Sequence, residues 1–174
     1  MTRTPRPGWP AAGASILVEP MDVGTQGWML VAVDPAGAVF GAWQAGEHTG
    51  AQLVNEPGAF TWNELYTPDR AKANEFYGTV FSYGYEQIGD GQEFDYTVMK
   101  VDGRIVGGQF RADGPAHWKV YFAVTNADAT AVRAGKLGGS VLDEPHDSPY
   151  GRWSELADPW GARFSVIVSA DPAG

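Results

Sequence analysis

The 174-residue chain has no cysteine, which removes disulfides, thiolate metal sites and cysteine nucleophiles together. Positive charge is scarce as well: twelve Lys and Arg stand against twenty-one Asp and Glu, a formal charge of -9. Nucleic-acid binding draws largely on Lys and Arg neutralising phosphates, so no nucleic-acid partner is expected. The acidic balance agrees with a cationic ligand, or with solubility alone. No apolar run reaches membrane-spanning length, and residues 1–12 lack the apolar core of a signal peptide. The expectation is a cytoplasmic protein with no membrane partner. Histidine is sparse too. His48, His117 and His146 stand far apart, without a compact metal-ligand spacing. What the chain does have is 44% hydrophobic and 13% aromatic residues, ample for a packed core in one domain, or one domain plus part of another.

One stretch occurs twice. Glu19-Pro20-Met21-Asp22 and Glu144-Pro145-His146-Asp147 each precede a glycine, Gly27 or Gly151, that stands seven positions before Asp-Pro-x-Gly-Ala-x-Phe. The second motif runs Asp34 to Phe40 in one copy and Asp158 to Phe164 in the other. Two matches at fixed spacing indicate duplicated structure. In both, extended residues flank an Asp-Pro-x-Gly turn, so each copy reads as strand, turn, strand. Asp34 and Asp158 are read as turn formers rather than catalytic acids.

The rest of the chain orders itself around that repeat. Residues 1–12 read as a disordered leader, and 13–46 as a three-stranded antiparallel meander. Residues 47–58 read as a polar linker carrying His48. A strand over 59–66 leads to a helix with Thr67 as cap and Pro68 in its first turn. Ala73, Phe76, Tyr77 and Val80 form that helix's inward stripe. Strands over 85–88, 94–101 and 105–110 follow, with turns at 89–91 and at Asp102-Gly103. A second strand, 118–124, precedes a helix over 126–137 with Ala127, Ala131 and Ala134 inward and a Gly138-Gly139 stop. Strands over 140–143, 152–156 and 162–168 close the chain. Residues 59–111 and 116–170 are thus two βαβββ units, and 13–46 matches the βββ part of a third. The fold class is α+β.

Paired βαβββ units with Trp62-Asn63-Glu64-Leu65-Tyr66-Thr67-Pro68-Asp69 leading to Glu75-Phe76-Tyr77-Gly78-Thr79-Val80-Phe81, and with Asp158-Pro159-x-Gly161 later, resemble the vicinal oxygen chelate superfamily. That superfamily contains glyoxalase I, extradiol dioxygenases and bleomycin-resistance proteins. The resemblance implies a curved, cup-like mixed sheet with helices on its outer face, and residues 59–170 as one complete domain. It also implies where a catalytic member would hold a divalent metal on His, Gln or Glu: seven residues before each helix start, and seven after the Asp of Asp-Pro-x-Gly. Here those positions are Trp62, Lys119 and Ser165, and the matching strand of the first unit carries Gly107-Gly108. Such side chains are poor metal ligands, so no metal and no cofactor is expected. His117, His146, Glu64 and Glu155 are the alternative donors, with the two histidines expected as exposed polar side chains.

Alternation along the strands then assigns a cup lining of Trp62, Glu64, Tyr66, Lys119, Tyr121, Arg163 and Ser165. An aromatic box with one acid and two bases suits a planar or amphipathic small molecule. It could equally be a filled core in which Glu64 pairs with Lys119 or Arg163. The Tyr150-Gly151-Arg152-Trp153 segment reads as a flap over the cup or as a plain hairpin. Three functions follow: a metal-free binding protein for an aromatic or amphipathic compound; a lyase, isomerase or dioxygenase with a displaced metal or acid–base groups; or a non-catalytic assembly protein. A meander without its strand and helix leaves apolar surface open. A homodimer through residues 13–46, with Trp28 or Trp43 buried in it, is therefore expected.

Overall fold

A computed structural model of the chain describes residues 12–89 and 95–170. The expected leader up to residue 11, the centre of the 89–91 turn and the start of the 94–101 strand lie outside them. The fold is α+β, with two α-helices among the described residues and open, curved sheets. Two compact units divide it: residues up to Gly50 together with Glu64–Trp118, and Ala51–Asn63 together with the residues from Lys119 onward. The expected linker therefore splits at Gly50. Its first part stays with the first unit, where His48 N donates to Gln26 O. Its second part joins the other unit, where Gly58 N donates to Ala123 O.

In the first unit, β1 (Ser15–Asp22), β2 (Gly27–Val33) and β3 (Val39–Ala45) form the meander, in the order β1-β2-β3. β4 (Phe60–Thr67), α1 (Arg70–Phe81), β5 (Gly84–Ile88), β6 (Tyr96–Val101) and β7 (Arg104–Arg111) make the first βαβββ set, with strand order β5-β6-β7-β4. The helix cap is not Thr67. Asp69 caps α1, its side chain accepting from Lys72 N, while Thr67 ends β4 and accepts from Asp69 N. The reason is local: Pro68 has no N–H to donate and imposes extended backbone on the residue before it. Asp102 and Gly103 both take positive φ, 49° and 77°, as a tight two-residue hairpin turn requires.

The second unit repeats the plan. β8 (His117–Ala123) has its first two residues in the first unit; α2 (Ala127–Lys136), β9 (Ser140–Ser148), β10 (Gly151–Ala157) and β11 (Arg163–Ser169) follow, with strand order β8-β11-β10-β9. Asn126 caps α2 by accepting from Ala129 N, and Gly138 at φ +89° turns the chain out of it. Ala131 packs with Leu156 and Val166 beneath the helix.

Backbone pairing confirms the internal repeat residue by residue. In the meander Met21 faces Met29, Val18 faces Val31 and Ile16 faces Ala32. In the second unit His146 faces Trp153, Asp143 faces Glu155 and Val141 faces Leu156. Both ladders carry a register shift across their proline, Pro20 or Pro145, and both prolines lie on edge strands, where a missing N–H is tolerated. The two turns match as well. Asp34 accepts from Ala36 N and Ala38 N, and Asp158 from Trp160 N and Ala162 N.

The meander does not leave its apolar surface wholly open. Phe40 meets Phe76, Tyr77 and Phe81 of α1 at centroid distances of 5.7, 5.6 and 6.1 Å. Tyr77 Oη donates to Asp34 Oδ2 at 2.9 Å and accepts from Trp118 Nε1 at 2.9 Å. Burial and the Asp34 charge both push the Tyr77 phenol well above its ordinary value, so it serves as a fixed donor. Trp43 lies across Gly27 and donates to His48 O. One face thus packs within the chain, and among the described residues the outward Leu17, Val18, Met21, Val39 and Trp43 are the exposed large apolar side chains of the meander.

Candidate functional site

In the first unit, β4 alternates as the sequence implies. Leu65 and Thr67 are fully buried, Leu65 in the core that contains Phe76 and Tyr77, while Glu64 and Tyr66 take the opposite face. Glu64 is only 7% exposed. Its Oε1 accepts from Tyr96 Oη at 2.8 Å and its Oε2 from Tyr66 Oη at 3.2 Å. Two phenols thus donate to this one carboxylate. Tyr66 stacks on His117 at 5.3 Å and lies 5.5 Å from Phe110. His117 is therefore part of an aromatic stack, half-buried, rather than the exposed polar residue expected. Trp62 is half-buried on the part of β4 that groups with the second unit.

Gly108 pairs with Glu64 across β7 and β4, and it is a glycine for a steric reason. A Cβ there would lie 1.8 Å from Tyr96 Oη. Tyr96 crosses the very position where a metal-binding relative would place a ligand, and uses it to reach Glu64.

The second unit gathers four of the expected residues on one sheet face. Ser165 lies opposite Glu155 on one side and Tyr121 on the other, with Lys119 and Arg163 two residues along their strands. Lys119 Nζ donates to Glu155 Oε2 at 2.7 Å, and both side chains are 8% exposed. Arg163 donates from Nε to Glu155 Oε1 at 2.8 Å, and its Nη2 lies 2.6 Å from the same oxygen as an ion pair. Burial pushes the Glu155 carboxyl up, but the hydrogen bonds and charges of Lys119 and Arg163 outweigh it and hold the group below its ordinary value. Tyr121 lies 6.1 Å from Trp153, and Lys119 Nζ sits 5.5 Å from the Trp153 ring centre.

Glu155 and Trp153 are absent from the expected lining although they complete the cluster. The alternation of β10 could have placed them: Glu155, Trp153 and the helix-facing Leu156 obey one period. His146 is exposed, as expected. It lies in β9 opposite Trp153, ring centres 4.6 Å apart, with Asp143 Oδ1 3.6 Å from its Nδ1. Arg152 turns the other way, to Asp128 at the start of α2 and to Asp147, so Tyr150 to Trp153 is a hairpin and no flap.

These donors do not fit a divalent cation. The superfamily's ligand positions offer an indole, a glycine covered by Tyr96, an ammonium committed to Glu155, and one hydroxyl. Among the described residues no group of three or more His, Asp or Glu is placed to hold a metal ion.

Two βαβββ sets, each with a helix on one sheet face and polar and aromatic residues on the other, define a protein of the vicinal oxygen chelate superfamily. The glyoxalase-like domain family matches residues 60–167, and the chain belongs to that family. Among curated proteins it is similar to "Putative glyoxylase CFP32" of Mycobacterium tuberculosis, 43% identical over 91% of this chain and 62% of that protein. It is also similar to the anthracycline biosynthesis protein DnrV of Streptomyces peucetius, 40% identical over 90% of this chain and 58% of that one. The chain thus spans about three-fifths of the length of these relatives. The Mn(II)-bound glyoxalase of Novosphingobium aromaticivorans shares the fold, with a TM-score of 0.56 and 18% identity over 93% of this chain and 56% of that one. Among the described residues no helix is long and apolar enough to cross a membrane.

Proposed function

We propose that this glyoxalase-like protein works without a metal, binding and sequestering an aromatic or amphipathic small molecule on the faces that carry Glu64 and Glu155. The observation that carries this reading is the Lys119–Glu155–Arg163 cluster. A buried ammonium at an inherited ligand position repels a cation, while Tyr121, Trp153 and His146 offer ring faces beside it. The name of DnrV, a similar protein, places that relative in the biosynthesis of an aromatic compound class, which agrees with an aromatic ligand here.

The enzymatic alternative has one observation in its favour. Glu64 sits between two phenols, an arrangement in which a carboxyl group can exchange a proton with a bound substrate. Elemental analysis of the purified protein, with tryptophan-fluorescence titrations of aromatic compounds before and after chelation, tests the proposal. Binding that survives chelator at substoichiometric metal supports it. One metal per chain, lost together with binding in chelator, overturns it.

A further inference from the structure

We propose that the second unit carries a further ligand site on the helix side of its sheet, between α2 and the Asp158 turn, which takes a small phenolic compound through Asp158. The site lies on the opposite face from Glu155 and so goes beyond the reading above. The internal repeat carries the inference. In the first unit Tyr77 of α1 lies 5.6 Å from Phe40 and donates its phenol to Asp34 Oδ2. Asp34 Oδ1 meanwhile accepts from Ala36 N and Ala38 N of its own turn. The second unit keeps the turn and the ring, as Asp158 and Phe164, but not the tyrosine. Eight residues on from the capping residues Asp69 and Asn126 stand Tyr77 in one helix and Ala134 in the other. A methyl group in that place leaves a pocket of about 270 Å³, whose walls include Arg133, Ala134 and Leu137 of α2 with Asp158, Pro159 and Phe164.

Burial of the two turns differs accordingly. Asp34 and Ala38 are buried under α1, whereas Asp158 is half-buried and Ala162 exposed. Asp158 Oδ1 holds Trp160 N and Ala162 N. Among the described residues no donor reaches its Oδ2, which keeps accessible surface. In the first unit the same oxygen of the same turn receives the phenol. Charge narrows the ligand further. Asp158 disfavours an anion, and the Arg133 guanidinium on the pocket wall disfavours a cation. A neutral donor remains, and the phenol of Tyr77 is the chain's own example of one. Size separates a small compound from a partner's tyrosine. An apolar cavity of roughly 150 Å³ accepts one benzene ring, so this larger pocket suits a fused or two-ring phenol.

Calorimetry at pH 7 with 2-naphthol and its methyl ether, 2-methoxynaphthalene, tests the site. Naphthol should bind at least about tenfold more tightly, as a hydrogen bond to a charged acceptor implies. That comparison needs no variant. Asp158→Asn should abolish the preference, because its amide oxygen is needed by Trp160 N and Ala162 N and the remaining NH2 cannot accept. Ala134→Tyr supplies the phenol from the chain itself. It should abolish the preference too, and should melt at a higher temperature than Ala134→Phe, which fills the pocket without a donor. Equal affinity for naphthol and its ether, or no heat with either, overturns the proposal. A preference that survives Ala134→Tyr places the phenol elsewhere and overturns this site, while the reading for the Glu155 face stands. Ala134→Tyr no more stable than Ala134→Phe overturns the bond to Asp158. Tighter binding of N-acetyltyrosinamide than of naphthol overturns the small compound in favour of a partner's tyrosine.

Discussion

Gly108 shows how much a single missing Cβ decides. Tyr96 reaches Glu64 only by passing over it. Gly108→Ala should displace Tyr96 and cost about 1–3 kcal/mol, the usual range for overpacking. In a Tyr96→Ala background the same substitution should be nearly neutral, since the clash has gone; urea denaturation of the four species measures that coupling. Glu155 gives a second test. Glu155→Gln leaves Lys119 buried without its carboxylate, which should cost about 3–5 kcal/mol at pH 7. The pH dependence follows from the sign of its shift. A carboxyl held below its ordinary value near 4.5 stabilises the fold fully above that value, and the contribution disappears as pH falls through the depressed folded value. Acid unfolding of Glu155→Gln should therefore be shallower than that of the parent, as circular dichroism against pH would read.

Between elements, the meander and α1 are joined by one aromatic wedge and one polar relay. Phe40 is the wedge, and Asp34–Tyr77–Trp118 the relay. Phe40→Ala should lower stability by roughly 3 kcal/mol, the low end for Phe→Ala because the ring is half-buried. Tyr77→Phe removes the Asp34 and Trp118 partner together and should cost about 1–3 kcal/mol. Asp34 still caps its own turn in that variant. Melting curves separate the two effects, because Phe40→Ala leaves the relay intact.

Across the whole molecule, the meander packs on its own chain, so its removal should expose α1 rather than simply undo an assembly. A chain starting near Glu56 uncovers Phe76, Tyr77 and Phe81, which Phe40 now covers. That shortened chain should bind a hydrophobic dye strongly and aggregate on light scattering. A monomeric, well-folded product with an unchanged melting temperature would contradict it.

The order of strands and helices was legible in the sequence because it rests on local signals. The Ala73–Phe76–Tyr77 stripe has the helical period, and Asp158-Pro159-x-Gly161 closes its own turn by hydrogen bonds to its own backbone. The duplication was legible for the same reason, since equal spacing preserved equal register down to the shifts at Pro20 and Pro145. Alternation likewise put Lys119, Tyr121, Arg163 and Ser165 on one face. The pairings across that face were not legible. Glu64 meets Tyr96 from thirty-two positions away, and Lys119 meets Glu155 from thirty-six. No local rule says which acid a buried base will find, because strand register and close approach over Gly108 decide it. The cover over Phe40 was hidden likewise: its partner α1 lies in a different repeat, and only tertiary packing brings the two together.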